Sequence, residues 1–179
     1  MAAGATYAQI SSTTLSSNVS NFSITGIPST YTDLELILTL RGTVNGVYPA
    51  MQIGGSSIDT GTNYSQTSVY GINTGAGSQR YSNNGSIEIF DPNRPVPYTA
   101  SVFGISRVVF PNYANTNVYK TVLVRGSSMD SSTGGNATAL VGLWRSTNAI
   151  SQLYIFSEGG SSYPFASGST IELFGITAA

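Results

Sequence analysis

Few residues in this 179-residue chain are equipped for chemistry, and the missing types narrow the field first. Histidine and cysteine are both absent. Without histidine there can be no Ser-His-Asp triad, no imidazole general base and no His-ligated zinc. Without cysteine, thiolate nucleophiles, disulfides and Cys-ligated zinc or iron–sulfur clusters are excluded as well. What remains is eight carboxylates, seven lysines and arginines, and a large stock of hydroxyls and amides.

Three carboxylate settings invite a chemical reading. Ile58-Asp59-Thr60-Gly61 matches the sequence around an aspartic-protease carboxylate. That reaction needs two carboxylates sharing a proton, so one copy would act only across a homodimer. The same four residues also make a turn, with Asp bonding its own backbone and Gly taking positive φ, and the glycine-rich surroundings favour the turn. A glycosidase needs two carboxylates about 5–10 Å apart. Glu88 with Asp91, or Asp33 with Glu35, fits that span, yet the latter pair sits on the polar side of a strand pattern and Asp91 opens an Asp-Pro turn. Asp130-Ser131-Ser132-Thr133-Gly134-Gly135-Asn136 offers oxygens to a hard cation but only one carboxylate, so a polar turn is the better reading. Gly71 to Gly77 resembles a phosphate-cradling loop in its glycines alone, with no Gly-Lys-Ser/Thr to complete it. No catalytic residue, metal or cofactor is expected.

Binding is better supplied. Eleven tyrosines and one tryptophan suit contact with sugars or with protein. Tyr64, Tyr70 and Tyr81, in a glycine-rich stretch, and Trp144 with Arg145 at a strand end are the candidate contact surface. Nucleic acid is not an expected partner, because seven scattered cations against eight anions release few counterions. Nor is a membrane, since no apolar run approaches the roughly 20 residues of a spanning helix. Met1-Ala2-Ala3-Gly4 lacks the basic and apolar regions of a secretory signal.

These residues need elements to hold them. Only 8% of the chain is charged, and Ser, Thr and Asn make up a third of it. The apolar residues are nevertheless patterned. Leu34, Leu36, Leu38 and Leu40 alternate with Asp33, Glu35, Thr39 and Arg41, the period of a half-buried strand. Leu36 and Leu38 are expected in the core, and Glu35 on the wet side, where its loss would cost little. Further strands are expected at 7–13, 21–27, 49–53, 86–90, 101–110, 121–125, 138–144, 150–156 and 170–176, mostly between Gly, Pro, Asn or Ser clusters. Residues 54–85 read as long glycine-rich loops around one weak strand near 67–70. The expected fold is all-β: an antiparallel, jelly-roll-like β-sandwich, with a short N-terminal arm at 1–6 and a single domain over 7–179.

Several stretches, taken in order, are distinctive. They are Phe22-Ser-Ile-Thr-Gly-Ile-Pro28-Ser-Thr-Tyr31-Thr-Asp33-Leu-Glu-Leu, Gly61-Thr-Asn63-Tyr64-Ser65, and Pro111-Asn112-Tyr113 with Lys120 beyond. Gly142-Leu-Trp144-Arg145-Ser-Thr-Asn-Ala-Ile150 and Gly168-Ser-Thr170-Ile-Glu-Leu-Phe174-Gly175-Ile176 complete the set. This succession resembles a family of β-sandwich virion proteins of tailed phages of cyanobacteria and other aquatic bacteria. The resemblance implies a particle-surface component, either a head decoration (cement) protein or a fibre module, and supplies no catalytic residues. The absence of a coiled-coil or repeat shaft favours head over tail. The implied partners are the major capsid protein or other virion proteins, with the chain as a homo-oligomer, a trimer at local threefold positions among the arrangements open to it. A fibre or spike module that binds a host receptor or glycan is the rival.

Overall fold

The computed structural model describes residues 6–90, 95–130 and 134–177. They form an antiparallel β-sandwich of eight strands against four. In chain order the strands are β1 (Tyr7–Thr14), β2 (Asn21–Thr25), β3 (Asp33–Leu40), β4 (Pro49–Gly54), β5 (Tyr64–Ile72) and β6 (Gly75–Asn84). There follow β7 (Ile87–Glu88), β8 (Gly104–Phe110), β9 (Lys120–Asp130), β10 (Gly134–Trp144), β11 (Gln152–Ser157) and β12 (Thr170–Ile176). The larger sheet has the order β1-β12-β3-β8-β9-β10-β5-β6, the smaller β2-β11-β4-β7.

The leucine alternation in β3 works as its period demands. Leu34, Leu36, Leu38 and Leu40 are fully buried and face Met51, Ile53, Leu153 and Ile155 of the smaller sheet in one core. Side chains of alternate residues leave a strand on opposite faces, so β3, β8, β9, β10 and β12 each give one inward row to this core, while β6 adds no buried side chain. Glycine admits close approach at two points in that row. A Cβ on Gly142 would meet Ile87 Cδ1 at 2.9 Å, and one on Gly126 would meet the Phe90 backbone at 3.3 Å. The segment that ends the smaller sheet therefore lies directly on β9 and β10.

Two expectations need correcting here. Residues 54–85 are not mainly loop: β5 and β6 make a long hairpin, paired from Tyr64↔Asn84 to Ile72↔Gly75. Its two-residue connection turns at Asn73, whose φ of 54° suits Asn better than most residues. The turn is pinned to β10, since Asn73 N–H donates to Gly135 O at 2.9 Å and Asn73 Oδ1 accepts from Gly135 N–H at 3.1 Å. Strands β9 and β10 also run further than their apolar centres suggest, reaching Asp130 and starting at Gly134.

The second correction concerns Glu35. It lies on the face of β3 away from the core, yet it is fully buried. Tyr7 on β1 donates its hydroxyl to Glu35 Oε2 at 2.7 Å, and Arg107 on β8 forms an ion pair with Oε1. The expected wet position is therefore wrong, and with these partners its removal should cost more than a surface change. Of the expected arm, Thr6 belongs to the fold, since its carbonyl accepts from Thr177 N–H at 3.0 Å. Residues 1–5 lie outside the described residues.

Candidate functional site

The five residues singled out as a contact surface do not form one. Tyr64 and Trp144 are core residues. The first residue of β5, Tyr64, pairs with the last of β10, Trp144. The Tyr64 hydroxyl accepts from Ile53 N–H at 2.9 Å and donates to Asp59 O at 2.7 Å. Burial pushes that phenol above its ordinary pKa, with the nearby Asp59 charge adding to the shift. Trp144 Nε1–H donates to Asp59 Oδ2 at 2.8 Å. Asp59 also accepts from Asn63 Nδ2 and from Gly61 N–H, each at 2.9 Å. Burial alone would raise its pKa, but the donations from Trp144, Asn63 and Gly61 outweigh it and hold the carboxyl below its usual value. The Asp-Thr-Gly motif is thus a local loop in which Asp59 bonds the Gly61 N–H and also caps the buried tryptophan, but Gly61 does not take the expected positive φ.

Arg145 is spent inside the same knot. Its guanidinium donates to Ser65 Oγ and Thr62 O, both at 2.5 Å, and to Asn83 Oδ1 at 2.9 Å, tying β5 to the end of β6. Tyr70 is half-buried, and a Cβ on Gly77 would come within 2.6 Å of its hydroxyl. Of the five, Tyr81 alone is exposed; its hydroxyl donates to Gln79 Oε1 at 3.0 Å.

The other chemical candidates are likewise engaged in structure. Glu88 accepts from Gln66 Nε2 and donates its N–H to Gln66 Oε1 at 2.9 Å, while Asp91 lies outside the described residues. In the candidate cation loop, residues 131–133 lie outside the described residues. Asn136 Oδ1 there accepts from Ser128 N–H at 2.9 Å and from Ser128 Oγ at 3.1 Å. Among the described residues no three His, Cys, Asp or Glu side chains gather to hold a metal. Lys120 is the least expected. It is 1% exposed and donates to three backbone carbonyls, of Asn115 at 2.6 Å, Val118 at 2.8 Å and Thr147 at 3.1 Å. Burial lowers its pKa. It pins the loop before β9 to the loop after β10.

The surface most able to bind lies on the outer face of the larger sheet. Val69, Ile105, Leu123 and Val141 are 58%, 51%, 46% and 47% exposed there. Cross-strand register sets Val141 opposite Leu123, which is opposite Val109, and Val69 opposite Ala139, while Ile105 lies opposite Ser127, apart from the other three on the same face. Three adjoining hollows, of about 880, 390 and 470 Å³, follow β5, β9 and β10 along this face. The charged residues lining them are Arg125 and Arg80. A signal for this surface was present in the sequence. Residues 122–124 are all apolar, so a strand through them shows an apolar side chain on each face.

No protein-family model matches the chain, and no curated protein does. Among solved structures, the galectin LEC-6 of Caenorhabditis elegans is 9% identical over 93% of this chain and 96% of its own, with a TM-score of 0.34. The alginate lyase Aly36B is 10% identical over 87% and 80%, with a TM-score of 0.28. The alginate lyase vAL-1 from Chlorella virus is 9% identical over 90% and 84%, with a TM-score of 0.25. Likeness this remote does not bear on what the chain binds or does.

Proposed function

We propose that the chain is a non-enzymatic structural protein of a phage virion. In this reading it decorates the head as a symmetric oligomer and stabilises it through contacts with the major capsid protein or other virion proteins. The observation that carries the reading is the outer face of the larger sheet, where Val69, Leu123 and Val141 stand near one another in water, with Ile105 further along the same face. Exposed apolar surface gathered on one face favours an interaction site. The ordered segments from Phe22 to Ile176 supply the virion context. The carboxylates weighed for catalysis, Asp59, Glu35 and Glu88, hold strands and turns together, which favours a structural role.

The rival is a tail module gripping host glycan through Tyr64, Tyr70, Tyr81 and Trp144. It loses two of those four rings to the core. Co-sedimentation with undecorated capsids tests the proposal, alongside gold-labelled antibody imaging of particles. Saturable capsid binding with label spread over heads is expected. No capsid binding, with label confined to tail tips, would overturn the decoration role.

A further inference from the structure

We propose that the hollowed face of β5, β9 and β10 is a docking groove for an extended, acidic–aliphatic segment of a partner protein. The proposal goes beyond the virion reading and does not depend on it. Successive cross-strand rows define the groove. One row runs Thr67, Val141, Leu123, Val109; the next Val69, Ala139, Arg125, Arg107; the third Gly71, Ala137, Ser127, Ile105. The hollows follow these rows along the strand direction, from the Gly71 end to Ser65 and Thr121. At about 3.3 Å per residue, the span from 65 to 71 is on the order of 20 Å, enough for six or seven extended residues.

The chemistry of the occupant follows from the lining. Gly71, Ala137 and Ala139 keep the floor low, and Val69, Val141 and Leu123 give it aliphatic walls. Among the described residues the charges there are both positive, Arg80 and Arg125, and no carboxylate lines any of the three hollows. This sits on a chain of net charge −1, so the groove differs in sign from the molecule as a whole. A second copy of the chain fits poorly. Arg125 lies centrally in the rows, and a two-fold face-to-face pairing would bring like charges together. Aliphatic floor and walls also suit a polysaccharide less well than a peptide, because sugars need a dense set of hydrogen-bonding groups. Every second residue of an extended segment faces the sheet, so those inward positions would carry valine or leucine over the hollows and aspartate or glutamate against Arg80 and Arg125.

The test is a titration of the ¹⁵N-labelled chain with a capped peptide in which valine and aspartate take turns at every second position with serine between them, its counterpart with lysine for aspartate, and trigalacturonate. The acidic peptide should shift amides of Val69, Ala139, Val141 and Leu123, and the lysine peptide should leave them in place. Arg125→Glu should weaken the acidic peptide about ten-fold or more and reverse the preference toward lysine. Shifts confined to other surfaces, equal response to both peptides, or a response to trigalacturonate alone would overturn the proposal. Failure of capsid co-sedimentation would leave it standing.

Discussion

The Glu35–Arg107 pair makes an asymmetric prediction, because the two ends of the ion pair lie in different surroundings. The Arg107 side chain is 62% exposed and the Glu35 side chain 1%. Removing the carboxylate with Glu35→Ala frees Arg107 and Tyr7, both of which reach water, so solvent replaces most of what they lose. A hydrogen bond to a charged group contributes about 1.5–3 kcal/mol. With that replacement, Glu35→Ala should cost about 1–2 kcal/mol. Arg107→Ala does the reverse. It strands a buried carboxylate with the Tyr7 hydroxyl, and orphaning one member of a buried pair costs about 3–5 kcal/mol. Water entering from the open side brings this to about 3 kcal/mol. The exposed arginine should therefore matter more than the buried glutamate, and the double variant should be more stable than Arg107→Ala alone. Glu35→Gln should rescue Arg107→Ala in the same way, since the amide keeps an acceptor for Tyr7. Urea unfolding at neutral pH, followed by Trp144 fluorescence, measures each midpoint. The reasoning fails if Arg107→Ala costs less than Glu35→Ala, or if the two losses simply add.

Other predictions rest on separate contacts. Lys120→Met keeps the buried stem but removes the donor for three carbonyls, and should cost about 2–4 kcal/mol in the same urea assay, against about 1 kcal/mol or less for the exposed Arg80→Met. Trp144→Phe removes one donor from Asp59 and should cost about 1–2 kcal/mol at pH 7, read by urea unfolding followed by far-UV circular dichroism because the variant loses the chain's one tryptophan. Because the folded Asp59 carboxyl is held below its ordinary value of 3.8, it contributes stability above that value which is lost as pH falls through the folded one. Trp144→Phe should flatten this acid limb of the stability curve. Within β9, Val122→Ala empties part of the core and should cost about 2 kcal/mol, while Leu123→Ala, its neighbour on the outer face, should stay within about 0.5 kcal/mol. Equal losses would mean that the register of β9 is misplaced.

Some of this fold is readable in the chain and some is not, for reasons particular to each segment. β3 is legible because leucine and polar residues alternate with the burial they meet. β5 alternates in burial too, with Gln66 and Ser68 buried and Thr67 and Val69 exposed, but not in hydropathy, so the signal vanishes. β6 lies at a sheet edge with nearly every side chain in water, and its glycines then resemble a loop. The turn at Asp59 is local, a carboxylate reaching the N–H two residues on, and sequence suffices for it. What sequence cannot see is that Trp144, distant in the chain, arrives as a further donor. The same holds for Glu35, whose cover comes from β1 and β8. A polar face counts as wet until the tertiary neighbours that close it are known.

The unequal sheets connect fold to function. Four strands cannot cover the width of eight, so the β5–β6 end of the larger sheet projects past its partner and Gly75–Asn84 stays exposed along most of its length. On the opposite face no strand among the described residues packs against β9 and β10, yet β9 carries apolar residues on both sides, as a strand covered on both faces does. The inner row of β9 belongs to the sandwich core. Among the described residues the outer row belongs to no second layer, and Leu123 and Val141 stay about half exposed. The docking proposal gives their exposure beside Arg125 a physical rationale, a layer supplied by another molecule. That layer would complete on β5, β9 and β10 the burial that the smaller sheet provides underneath.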